Sequence, residues 1–221
     1  MEAVNVTFFR QGEPTMPAST RERSAQLWRR TLSGCLHRSV ILSAGSRRIQ
    51  SNDVLALGLL FFAAFQGTID ETGQTEAQYA LKASAILGGR YGEWIAQASW
   101  TVEQSDRLVS ACLVCDYKPY GCPVIAVVAT APASARAGTA GTLLDAAMAE
   151  LAALGHFECC AMITKGNVAS ERLFVSRGFR RTLTPAIRKA VVASSRRPKD
   201  GGRARNAVGN RWPPCGRFER S

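Results

Sequence analysis

The stretch "VIAVVATAPASARAGTAGTLLDAAM", Val124 to Met148, changes its pattern twice. It opens as a continuous β-branched and small apolar run, which reads as a buried strand. Pro132 and a string of small residues then break the run, which makes Ala133 to Gly141 a loop. From Thr139 the apolar residues recur at helical spacing, with Leu143, Leu144, Ala147, Met148, Leu151 and Leu154 on one face and Gly155 at the stop. A strand therefore runs through a small-residue loop into a helix. The first N–H groups of a helix lack intrahelical partners and sit at the positive end of its dipole, so such a junction can bind an anion. Small side chains let the anion approach the backbone, and Arg136 adds charge. A tight turn with glycine used for packing reads the same residues. No Gly-Lys-Ser/Thr follows, and the glycines lack the G-x-G-x-x-G spacing, so neither nucleotide fingerprint is present.

Downstream lies "TKGNVASERLFVSRGF", Thr164 to Phe179. Asn167 reads as a helix N-cap, and Gly178 ends the short helix. "HFECCAMIT" between the two helices is a strand. Upstream, "EWIAQASWTVE" and "RLVSACLVC" form two more, separated by a hairpin-length break. From Glu93 the order is strand, strand, strand, helix, strand, helix, an α/β arrangement with one crossover. Before it, "VLALGLLFFAAF" (Val54–Phe65) reads as a buried helix capped by Asp53, too short for the about 20 residues that span a bilayer. "TEAQYALKASAIL" (Thr75–Leu87) reads as another helix. Residues 1–44 have no clear period and read as a poorly ordered, Arg-rich leader, with one helix around Ser19–Leu36.

The two stretches together resemble the GNAT superfamily of acetyl-CoA-dependent N-acetyltransferases. Its loop pattern is Gln/Arg-x-x-Gly-x-Gly/Ala. Gly138 and Ala140 fill the two small positions, while Ala135 stands at the leading one with Arg136 beside it. Its later pattern is Asn-x-x-Ala-x-x-Leu-Tyr-x-x-x-Gly-Phe. Asn167, Leu173, Gly178 and Phe179 match, with Ser170 at the Ala position and Phe174 at the Tyr position. The resemblance implies a mixed, mostly antiparallel sheet flanked by helices, whose splayed strands form an acyl-CoA cleft. It implies that pantetheine pairs with the backbone near Val128, Ala129 and Thr130. The pyrophosphate would rest on Arg136, Ala137, Gly138, Thr139, Ala140 and Gly141, with Asn167, Ser170 and Phe174 near the thiol. "AFQGTID" (Ala64–Asp70) and "YGEWIAQAS" (Tyr91–Ser99) look like one bacterial branch and place Phe65, Thr68 and Ser99 along the acceptor. Phe174 lacks the hydroxyl that members often use as general acid, a contribution of about 10²–10⁴-fold where present. No Glu stands on Val124–Thr130, which leaves Asp70, Glu71, Glu103 and Asp116 as bases by exclusion and no residue assigned as catalytic. The resemblance also expects two closing strands after Gly178-Phe179. "RRTLTPAIRKAVVASS" offers weak ones, which would leave His156–Thr164 an exposed edge.

The charge is uneven. The chain carries +11 overall, yet residues 51–178 hold 8 basic and 12 acidic residues, while 179–221 hold 12 basic and 2 acidic. The basic end reads as a solvated, disordered tail, and as a nucleic-acid contact only in an alternative reading. The expected organisation is a leader at 1–46, a GNAT-like domain at 47–184 and a tail at 185–221. Seven cysteines with two histidines and no second Cys-x-x-Cys read as small apolar core residues, with no metal expected. No secretory h-region stands near the N-terminus, so the expectation is a cytoplasmic, membrane-free protein, with a homodimer compatible. The function expected is acetyl transfer from acetyl-CoA to a primary amine. A CoA-binding protein with impaired catalysis is the alternative.

Overall fold

The computed structural model describes residues 24–35 and 40–182. The tail at 185–221, the nucleic-acid reading that rests on it, and residues 1–23 of the leader lie outside these residues. Among the described residues, eight strands form one open sheet: β1 (Ala25–Thr31), β2 (Ser46–Arg48), β3 (Glu93–Trp94), β4 (Trp100–Gln104), β5 (Arg107–Asp116), β6 (Val124–Thr130), β7 (Glu158–Thr164) and β8 (Arg180–Arg181). The spatial order is β2-β4-β5-β6-β7-β1-β8, and β3 pairs with the end of β5. All pairings are antiparallel except β6 with β7. Among the described residues, four α-helices, α1 (Val54–Phe65), α2 (Glu76–Leu87), α3 (Thr139–Ala153) and α4 (Val168–Ser176), flank the sheet. No helix among the described residues is long and apolar enough to cross a membrane.

Each face of the sheet has its own apolar core. Leu57, Phe61, Phe65, Tyr79 and Ile86 of α1 and α2 pack on one face. Leu143, Leu144, Met148 and Leu151 of α3, with Phe174 and Phe179, pack on the other. Strands in the middle feed both cores, which is why β6 reads as an unbroken apolar run. Along β6 the faces alternate except at Ala126 and Val127, which both join the α1–α2 core. That break is a β-bulge: the register slips between Leu113↔Val127 and Val114↔Ile125, leaving Ala126 as the extra residue.

Three expectations change here. Ala25–Thr31 is a strand, not part of a helix, and the fold begins ahead of Arg47. Along β1, Leu27 enters one core and Trp28 the other, while Arg29 and Arg30 send long side chains to distant acceptors. A strand with two adjacent arginines hides its alternation. Second, β1 pairs with all of β7, from Ala25↔Thr164 to Thr31↔Glu158, so β7 is not an edge. An N-terminal strand stands where strands from the end of the chain were expected. Third, Asp53 precedes α1 without a side-chain cap bond. Its carboxylate accepts the Gln50 N–H at 2.8 Å and takes both ends of the Arg47 guanidinium, at 2.8 and 2.9 Å.

Candidate functional site

The parallel pairing of β6 with β7 is short. It comprises Val124↔Cys160 and Ile125↔Ala161 and ends at the bulge. Beyond it β7 follows β1, and β6 continues along β5, so a gap opens between them. The Ala131 N–H donates to the Val109 carbonyl at 2.8 Å, and Ala129 stands opposite Ala111. In an antiparallel pair, residues bonded to the partner alternate with residues turned away. The polar backbone groups of Val128 and Thr130 therefore face the gap. Those of Ala129 face β5, where its carbonyl also accepts the Ser110 hydroxyl at 3.2 Å. Of the three residues expected to line the gap with backbone, Ala129 does not.

At the open end of β6 the chain turns into α3. Arg136 has φ +65° and Gly138 has φ +81°, both left-handed. For Arg136 this costs backbone strain of order 1–2 kcal/mol, while glycine adopts it freely. Gly138 has no side chain to cap α3, so the N–H groups of Thr139, Ala140 and Gly141 open outward. A cleft of about 130 Å³ lies there, bounded by Thr130, by Ser134, Ala135 and Arg136, by Gly138 to Gly141, and by Leu173 and Arg177 of the α4 region. Most of the residues expected to hold a pyrophosphate are thus brought together around one space. Ala137 is exposed but does not border it.

Arg177 was not among the expected site residues. Its guanidinium lies against the first turn of α3, where a Cβ at Gly141 would collide with it. Its Nε stands 3.7 Å from an Asp145 carboxylate oxygen, and the other Asp145 oxygen has no hydrogen-bond partner among the described residues. Two arginines therefore flank the positive end of a helix, an arrangement that favours an anion between them. An arginine directly before Gly-Phe was the only sequence signal, and it reads equally well as a helix C-terminal cation.

The remaining expected residues sit deeper. Asn167 caps α4 by accepting the Ser170 N–H at 3.0 Å. Ser170 is fully buried, as is Phe174, whose ring meets Phe179 edge-on at 4.8 Å. Phe65 is also a core residue, stacked on Tyr79 at 5.7 Å. Thr68 is half-buried and donates its hydroxyl to the Phe65 carbonyl at 2.7 Å. Ser99 does not line the cleft. It is fully buried, accepts the Trp94 indole N–H and the Val114 N–H, each at 3.0 Å, and donates to the Ile95 carbonyl at 2.9 Å. Among the carboxylates, Glu103 pairs with Arg47 and Asp116 with Lys118, away from the gap, whereas Asp70 meets Asn167. Cys112 and Cys115 point into opposite cores, and burial pushes both thiols up to about 12. Neither is a nucleophile at neutral pH.

No protein-family model matches the sequence, and no curated protein is significantly similar to it. Solved structures are similar in fold. A GCN5-related N-acetyltransferase from Sphaerobacter thermophilus superposes with a TM-score of 0.53 at 17% identity, covering 72% of this chain and 49% of its own. A Drosophila protein gives 0.50 at 16% identity, covering 73% and 48%. A GNAT-family protein from Novosphingobium aromaticivorans gives 0.48 at 21% identity, covering 77% and 66%. The chain spans about half to two-thirds of the length of these structures. With a bulged β6 that parts from β7 beside the start of α3, and the match to the Sphaerobacter enzyme, the chain has the fold of the GNAT N-acetyltransferases.

Proposed function

We propose that the protein binds acetyl-CoA between β6 and β7 and transfers the acetyl group to a primary amine. The observation that carries this reading is the gap after Ile125, which ends at the uncapped first turn of α3. The residues fit the ligand in two respects. The outward backbone groups of Val128 and Thr130 suit an extended amide-bearing chain added like a strand. The N–H groups of Thr139 to Gly141, with Arg136 and Arg177, suit a diphosphate. Acetyl-CoA would supply an activated thioester. The chain's own part is to orient it and to exclude water. The Val128 N–H, facing the gap, is the donor placed to polarise a carbonyl there. Phe174 holds no proton and is sealed in the core, so a departing thiolate takes its proton from elsewhere. That observation keeps a second reading, a CoA-binding protein with weak or no catalysis.

The test is Gly138→Glu. A Cβ added at Gly138 meets nothing within 4 Å, the left-handed backbone there strains any side chain, and the glutamate carries a negative charge to the diphosphate position. Calorimetry with acetyl-CoA should show binding by the natural chain and at least tenfold weaker binding by the variant. Equal affinity in both would remove the cleft from the reading. Binding without acetyl transfer to any of a panel of amines would favour the second reading.

A further inference from the structure

The connection after α1 carries a carboxylate that is nearly sealed from solvent. Asp70 is 7% exposed. Its Oδ1 accepts the Thr164 hydroxyl at 2.5 Å, and its Oδ2 accepts the Asn167 side-chain amide at 2.6 Å. Both donors are buried. The orientation of the Asn167 amide is fixed from two sides. Its oxygen accepts the Ser170 N–H, so its nitrogen faces the carboxylate. A flipped amide would set oxygen against oxygen on one side and N–H against N–H on the other. The approach of Asp70 is shaped locally as well. The Asp70 N–H points to the Thr68 hydroxyl oxygen at 3.3 Å, and that hydroxyl donates to the Phe65 carbonyl at the end of α1. Thr164 ends β7, Asn167 begins α4, and Asp70 lies between α1 and α2.

We propose that Asp70 is a positioning residue. One carboxylate fastens the α1–α2 connection to the turn between β7 and α4, and the same carboxylate holds the Asn167 amide in a single orientation. Asn167 itself starts the helix that borders the cleft through Leu173 and Arg177. Loosening the connection and loosening that amide are therefore one event. Hydrogen bonds to a charged group are the stronger kind, and a buried carboxylate that lost a donor would pay its desolvation unaided. Only the effect on ligand affinity rests on the acyl-CoA reading.

An exchange of the two side chains tests the cross-link. Asp70→Asn sets two amides face to face. The new amide oxygen still accepts from the Asn167 amide and the new NH2 turns to the Thr164 hydroxyl oxygen, so this variant removes the charge and keeps the contacts. Asn167→Asp sets two carboxylates face to face. The double variant restores one donor and one acceptor, and a carboxylate at position 167 still caps α4. Asn167→Asp should lower the melting temperature by about 4–8 °C, Asp70→Asn should lower it less, and the pair should return to within about 2 °C of the natural chain. A pair as unstable as the two single losses added together would overturn the cross-link. Acetyl-CoA calorimetry at 25 °C, with every variant folded, separates positioning from bulk stability. Asp70 does not border the cleft, yet Asp70→Ala, which removes both acceptor oxygens, should weaken binding about tenfold by releasing the Asn167 amide. The pair should regain stability without regaining affinity, because position 167 then holds a carboxylate in place of the amide that the natural chain positions. Unchanged affinity in Asp70→Ala would overturn the positioning of Asn167. If the natural chain does not bind acetyl-CoA, the acyl-CoA reading fails while the melting series still decides the cross-link.

Discussion

Arg177 is a cation at the positive end of a helix. Against α3 it is disfavoured by about 0.3–1 kcal/mol, the usual size of a charge–dipole contact at an exposed terminus. Asp145, at 3.7 Å, is too far for a hydrogen bond and offsets this only partly. An anion between Arg177 and the α3 N–H groups would turn the repulsion into attraction. Arg177→Gln should therefore weaken acetyl-CoA binding about tenfold and flatten its dependence on salt. The same change should leave the melting temperature of the ligand-free protein level or slightly higher. Calorimetry at low and high salt, beside a melting curve, checks both. Unchanged affinity would show that the guanidinium only covers Gly141.

At the scale of elements, the strand nobody would pick from its residues matters most. Leu27 in β1 is 1% exposed and belongs to the α1–α2 core. Leu27→Ala should cost about 2–5 kcal/mol, read from denaturant unfolding, and a change under 0.5 kcal/mol would mean that β1 does not hold the sheet. The sequence made α1 legible to the residue, because twelve apolar residues are bounded by an acid and a Gln-Gly break. It made the β6–loop–α3 junction legible because a strand run, small residues and a helical period follow one another without a gap. It hid β1, since arginines occupy positions where alternation would show and their partners lie far along the chain: Glu158 and the Tyr120 carbonyl for Arg29, the Arg177 carbonyl for Arg30. It also misplaced Ser99. A serine beside a strand looks available for a ligand, and only tertiary packing reveals that Trp94, Ile95 and Val114 use its hydroxyl fully.

At the scale of the whole molecule, the far edge of the sheet is tied by charge. Arg47 joins Asp53, before α1, to Glu103 at the end of β4. Burial pushes the Asp53 carboxyl up, but the Arg47 guanidinium and the Gln50 N–H outweigh it and hold the group below its usual range. A carboxyl depressed in the folded state contributes stability that is present above its unfolded value, about 3.9, and is lost as pH falls through the folded value. Melting temperature should thus decline below about pH 4, and Asp53→Asn should remove this part of the decline. The variant should be less stable at pH 7 by about 1–2 kcal/mol, a modest loss because Arg47 is 32% exposed. A pH profile parallel to that of the natural chain would exclude Asp53 as a source of the acid limb. The opposite side of the sheet is tied by order of synthesis instead. Trp28 finds its partner in Ala161, 133 positions later. At roughly 5–20 residues per second of translation, β1 leaves the ribosome roughly 7–27 s before β7 exists. Its backbone bonds to water and not to a strand for that interval, which delays any cotranslational closure of the sheet.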